Sequence, residues 1–194
     1  MKRLLIISSL AAIAALPSAA NAQTIPPAIV AVVDLDRVQT ECTACKVARD
    51  ALKAQALAED NREKALAGPL QTEQQAIQTA VDALKGKEPD AALQARYKAL
   101  QTKAQAAQAE AERGRQQLQR NQAYIAQQIQ TRLNPIYQQV MQRRGANVLV
   151  EQGATLATAS AIDVTNDVLA ALNAALPSVQ TTAPAAPANT QQGR

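Results

Sequence analysis

Apolar side chains between Glu41 and Gly145 recur at helical intervals, and one six-residue interruption, Lys85-Gly86-Lys87-Glu88-Pro89-Asp90, divides them. Before it, Leu66, Leu70, Ile77, Val81 and Leu84 form a heptad-like seam. After it, Leu93, Tyr97 and Leu100 begin a second seam, which resumes with Leu118, Ile125, Ile129, Leu133, Ile136 and Val140. Each side has the length for a helix of roughly 40 to 55 residues, or ~60–80 Å at 1.5 Å per residue. A compact domain of this chain length lacks that reach. The pattern predicts a projecting antiparallel helical hairpin over residues 41–145 with its tip at 85–90.

The flanks carry a different periodicity. Ile29-Val30-Ala31-Val32-Val33 is an unbroken, mostly β-branched run that predicts a buried strand. The long helix then starts between Asp36 and Thr43, with Asp36, Thr40 or the neighbouring Asp34 as cap. Beyond Gly145, a C′ glycine by position, Asn147 to Glu151 predicts a second strand and Thr155-Leu156-Ala157-Thr158 a short third one. Thr165 is placed to cap a last helix with Val168, Leu169, Leu172 and Leu176 on its apolar face, stopped by Pro177. Residues 178–194 lack core-forming side chains and are expected to be disordered. The fold class is therefore mostly α with a small β body, residues 23–40 and 146–177, into which the hairpin is inserted. Ile29, Val30, Val32, Val148 and Val150 are the candidate residues through which copies of so small a body associate.

Within the hairpin, residues 101–117 contain no aliphatic side chain larger than Ala. A buried alanine methyl contributes ~0.8 kcal/mol against ~1.5–3 for a buried Leu, so the middle of the hairpin is weakly held. Pairing across a turn near Lys87 sets this stretch opposite residues 57–73, which include Gly68-Pro69, a break in the helical hydrogen-bond ladder. Gly114 lies near the same height. Gly68 and Pro69 mark either an elbow or a tolerated kink.

Composition changes the picture in three ways. Lys2 and Arg3, the apolar run Leu4 to Leu16, and Ala20-Asn21-Ala22 have the form of a secretory signal peptide, residues 1–22, cleaved after Ala22. The apolar run is shorter than the ~20 residues a bilayer span needs. Export to the periplasm is the expectation. The chain has no Phe, Trp or His and three Tyr, so one copy has little with which to build a core, and oligomerisation is the expected supplement. Between residues 41 and 144 there are 16 Lys/Arg against 11 Asp/Glu. A mildly basic arm without basic runs or stacking aromatics points away from nucleic acid.

Candidate chemistry is sparse. Cys42-Thr43-Ala44-Cys45 opens the arm. A local i,i+3 disulfide is one reading, and inter-subunit disulfides, or metal or thiol-redox work, are the others. Two Cys and no His fall short of an ordinary four-ligand metal site. Carboxylate pairs such as Asp34/Asp36, Glu59/Asp60 and Glu110/Glu112 suit caps and solvated faces better than acid–base work, so neither enzymatic activity nor a metal or other cofactor is expected.

The strand Ile29 to Asp34, the helix exit Leu133-Asn134-Pro135-Ile136, the run Gly145 to Val150 and the close Ile162-Asp163-Val164-Thr165-Asn166-Asp167-Val168-Leu169 stand around the long hairpin in a fixed order. That order resembles the Skp/OmpH family of periplasmic chaperones from roughly Ile29 to Leu176. The resemblance implies a homotrimer with a barrel-like β core and three helical arms enclosing a cavity. It implies a holdase that keeps unfolded outer-membrane proteins from aggregating without ATP. No phosphate-binding glycine loop occurs, in keeping with that implication. Leu66, Leu70, Ile77, Val81, Leu84, Leu93, Tyr97 and Leu100 are then the candidate client-binding residues. The resemblance also raises contact with lipopolysaccharide through basic arm residues, for which Lys85, Lys87, Arg96 and Lys98 are candidates, solvated charge being the alternative. The competing functional classes are a structural periplasmic spacer or adaptor and a CxxC thiol-redox protein.

Overall fold

The computed structural model describes residues 25–185. The signal-peptide assignment and the end of the tail lie outside them. In chain order the elements are β1 (Val30–Val33), α1 (Leu35–Glu41), α2 (Thr43–Ala83), α3 (Ala91–Arg144), β2 (Val148–Glu151) and α4 (Thr165–Ala175), with 3-10 turns at Gln152–Ala154 and Ser160–Ile162. The molecule is mostly helical, and α2 and α3 pack along each other as one long arm. At 41 and 54 residues they would measure ~60 and ~80 Å.

Each boundary has a local cause. The Asp34 carboxylate accepts from the Arg37 N–H at 2.8 Å and caps α1. Asp34 thus caps this short first helix. The long helix is capped by neither Asp36 nor Thr40, whose hydroxyl donates back to the Asp36 carbonyl, but by Cys42, whose sulfur accepts from the Cys45 N–H. The helix breaks at Cys42, where ψ is 127°, and α2 restarts at Thr43, two residues inside the expected arm boundary. At the tip Lys85 and Gly86 both take positive φ, 52° and 88°. The Asp90 side chain caps α3 through the Leu93 N–H. Gly145, at φ 66°, closes α3 in the left-handed conformation that glycine adopts without steric cost. Arg143 and Arg144 in that last turn complement the negative helix end. Both interior prolines, Pro69 and Pro135, are carried within continuous helix.

The sheet has two strands, β1 and β2, parallel, with Val30 opposite Val148 and Val33 opposite Glu151. Parallel neighbours need a long crossover, and the whole arm is that crossover. The expected third strand at 155–158 does not form. The other edge of β1 is instead taken by a single parallel bridge from Val32 to Asp163, and the Val164 N–H donates to the Val32 carbonyl at 2.8 Å. Two 3-10 turns bound the intervening loop, where Leu156 is fully exposed and has nothing in its own chain to bury against.

The core lies where α1, the start of α2, the end of α3 and α4 converge under β1. Val38, Val140, Val168 and Leu172 are fully buried there, with Leu133 and Ile136 nearly so. A knot of polar contacts ties α4 to the β1–α1 junction. The Asp163 carboxylate accepts from the Thr165 N–H, and the Thr165 hydroxyl oxygen accepts from the Asp34 N–H at 2.9 Å. Thr165 is therefore the first residue of α4 and a buried tie to β1, not its side-chain cap; that helix has none. Residues 178–183 belong to the stretch expected to be disordered, but they lie along the base half of the arm and hydrogen-bond to it.

Candidate functional site

Two surfaces stand out: the length of the arm and the face of the sheet turned away from the core. Along the arm the pairing follows the register set by a turn near Lys87. From the base outward, Gln55 meets Asn121 at 2.8 Å, Glu63 meets Arg115 at 3.3 Å and Arg62 pairs with Glu110. Leu66, Pro69 and Leu70 then face Ala106 and Ala107 across a shallow cleft. Glu73 receives two hydrogen bonds from Arg96, at 2.9 and 3.1 Å. Those hydrogen bonds hold the Glu73 carboxyl below its ordinary range and raise the Arg96 guanidinium. The stretch lacking large aliphatics is thus joined by ion pairs at the side-chain surface.

The candidate client-binding residues divide. Ile77 and Leu93 are buried between the helices near the tip, so they hold the arm together and are closed to a client. Leu66, Leu70, Leu84 and Leu100 are half-buried in the seam. Val81 and Tyr97 are open, Tyr97 at 63% exposure, beside a tip notch of about 250 Å³ that also involves Pro89. Val47 and Leu57, both more than 60% exposed, add apolar surface to the arm. They escaped the sequence pattern because they fall off its seam, and exposure alone identifies them. Of the basic tip candidates, Arg96 is committed to Glu73, while Lys85, Lys87 and Lys98 are exposed.

Alternation along the sheet separates its two faces. Ala31, Val33 and Leu149 turn to the core. Val30 and Val32, opposite Val148 and Val150, turn away from it. Val30 and Val148 are each 38% exposed, Val150 is half-buried, and Ile29 just before β1 is 53% exposed. Val32 alone of the five candidate association residues is covered within the chain. With Ile162 and Leu156 also open, the body presents contiguous chain segments rich in uncovered apolar side chains.

Cys42 and Cys45 are joined as a disulfide. The pair is buried in the core beside α4, Cys42 completely. Thiol–disulfide exchange requires access to a sulfur, and this position denies it; the bond pins the kink between α1 and α2. Tyr137, half-buried nearby, has its hydroxyl pushed up by burial and then by the charge of Glu151. Among the described residues no cluster of three or more His, Cys, Asp or Glu forms that could hold a metal, and no helix is long and apolar enough to cross a membrane.

The sequence reading also missed Asn121, a buried polar residue that interrupts the seam between Leu118 and Ile125. Its signal was available: an Asn at a seam position specifies pairing at a cost in stability.

A search among curated proteins found no match to this chain. A crystal structure of a candidate OmpH-like outer membrane chaperone from Caulobacter crescentus CB15 superposes with a TM-score of 0.66 at 24% sequence identity, covering 81% of this chain and 92% of that one. At that identity the likeness speaks for the fold. The family model for outer membrane protein (OmpH-like) matches residues 29–172, which takes in both strands, the entire arm and most of α4, and so the chain belongs to the OmpH-like family.

Proposed function

We propose that this protein is an ATP-independent periplasmic holdase that receives unfolded outer-membrane proteins between helical arms. The observation that carries the reading is the arm itself: two helices of 41 and 54 residues leave one small body and are held in their middle by polar ties. Exposed surface pairs of this kind are individually weak and screened by salt, which suits an arm that must splay around guests of different size. Scattered exposed apolar residues, Val47, Leu57, Val81 and Tyr97, offer many shallow contacts and no single deep pocket.

The same reading takes the working unit as a homotrimer associating through Ile29, Val30, Val32, Val148 and Val150, with Val32 completing the strand beneath the others. Gly68 and Pro69 act as the elbow in α2, and Lys85, Lys87 and Lys98 as a weak contact for an anionic membrane surface or lipopolysaccharide. A structural spacer or adaptor is the alternative reading.

The test dilutes a urea-unfolded outer-membrane β-barrel into buffer without nucleotide, with and without the leader-free chain. Suppressed light scattering at stoichiometric trimer is expected; unchanged aggregation overturns the holdase. Mass by light scattering should give three copies, and Val30→Asp/Val148→Asp should give one. A Gly68→Ala/Pro69→Ala variant with undiminished capacity for large clients would remove the elbow. Lipopolysaccharide binding that survives Lys85→Ala/Lys87→Ala/Lys98→Ala would remove the tip contact.

A further inference from the structure

After Pro177 the chain turns back along the base half of the arm in an extended conformation. Burial alternates along it: Val179, Thr181 and Ala183 are half-buried, while Ser178, Gln180 and Thr182 are exposed, the period of two expected of a strand. What holds it is a row of side-chain amides. The Gln128 amide accepts from the Gln180 N–H at 3.0 Å and donates to the Gln180 carbonyl at 2.9 Å, as a neighbouring strand would. Gln55 donates to the Thr181 carbonyl at 3.1 Å. Asn121 accepts from the Ala183 N–H at 2.8 Å, and Gln117 reaches the Ala183 carbonyl at 3.5 Å.

These amides are themselves connected. Asn121 is 5% exposed; it donates to Gln55 at 2.8 Å and accepts from Gln117 at 2.7 Å. Such mutual bonding fixes their orientations before any chain arrives. Beneath Thr182 a cavity of about 370 Å³ remains beside Glu59 and Gly114, so the fit is loose. Each contact is made to the backbone of the guest segment, and the inward side chains beyond Val179 are small. The row ends where Pro184, which has no N–H, follows Ala183.

We propose that Gln55, Gln117, Asn121 and Gln128 form a groove that reads the backbone of extended polypeptide, that residues 178–183 strap it shut in cis, and that an extended segment of an unfolded client displaces the strap. The inference rests on the holdase reading and assigns that reading a polar subsite near the base of the arm. Backbone recognition asks only for N–H and C=O groups and for small or apolar side chains at alternate positions. Transmembrane β-strands carry that dyad alternation, so the occupant is a strand-forming segment of a β-barrel client. The strap keeps the groove satisfied between clients and reduces apparent affinity by the fraction of time the groove is closed.

The full-length chain with Gln180→Pro/Ala183→Pro loses both strap N–H donors and leaves the arm untouched. Because the protein has no Trp, the tryptophan fluorescence of a urea-unfolded outer-membrane β-barrel reports binding without background. The strap variant should bind that probe about threefold to tenfold more tightly, and adding Gln128→Leu should abolish the gain. Hydrogen exchange at the Gln180 and Ala183 amides of the unaltered chain should be slow, and should become fast when the probe binds. Unchanged affinity of the strap variant, a gain that persists with Gln128→Leu, or client binding that leaves those amides protected would each overturn the groove while leaving the holdase standing. If no form binds the unfolded barrel, the holdase reading fails and the client role of the groove fails with it.

Discussion

In the body, Val38, Val140, Val168 and Leu172 are wholly removed from water and Leu133 nearly so, whereas halfway along the arm the same α2 and α3 meet through Arg62–Glu110 and Glu63–Arg115 over a floor of alanine. The two regions share helices, so propensity does not separate them. What separates them is the number of neighbours available: four helices converge on the body and only two run along the middle of the arm. A helix in a bundle can bury a broad stripe; a helix with one partner buries a narrow seam and leaves the rest to solvent. The body is therefore the firmly packed base, and the arm is the more weakly held part.

The sharpest way to break this contrast is to hollow the body. Leu172→Ala should cost about 2–5 kcal/mol, because the site is closed on all sides and cannot collapse freely. Urea unfolding followed by circular dichroism would show it, and a cost as small as that of an arm substitution would erase the distinction.

Next in size is the polar knot. Thr165→Val keeps the shape but strands the Asp34 N–H, at a cost of about 1–3 kcal/mol. It carries a pH signature as well. Hydrogen bonds from the Thr165 side chain and backbone hold the Asp163 carboxyl below its ordinary value of 3.8. A depressed carboxyl contributes stability that is present above the ordinary value and is lost as pH falls through the depressed one. The wild-type protein should accordingly lose stability in that acid window, and Thr165→Val should flatten this limb; parallel acid limbs in the two urea series would contradict the assignment.

The smallest effect is expected in the arm. Arg62→Ala should cost less than either body substitution, and the loss should shrink further at high salt. A larger, salt-independent loss measured by hydrogen exchange along α2 would mean that the middle of the arm is held as firmly as the body.

Periodicity carried the long elements well. The helical spacing from Leu66 to Val140 placed both helices of the arm, the turn and their register, because local repetition over many residues leaves few alternatives. Short elements were less legible. Thr155–Thr158 has strand composition, yet its neighbours are 3-10 turns and β1 finds its second partner at Asp163. Likewise Ile77 and Leu93 were readable as seam residues, but only the packing shows that they close on each other's helix and leave Val81 and Tyr97 open.

By itself the order of residues determined the two rods and the small apolar strands, since each depends on neighbours a few positions away. Tertiary structure decided the parallel pairing of β1 with β2, the burial of the Cys42–Cys45 bond, the tie from Thr165 to Asp34 and the seating of residues 178–183 on the arm. These contacts join residues far apart along the chain. Their geometry depends on where the arm returns the chain, which no local pattern records.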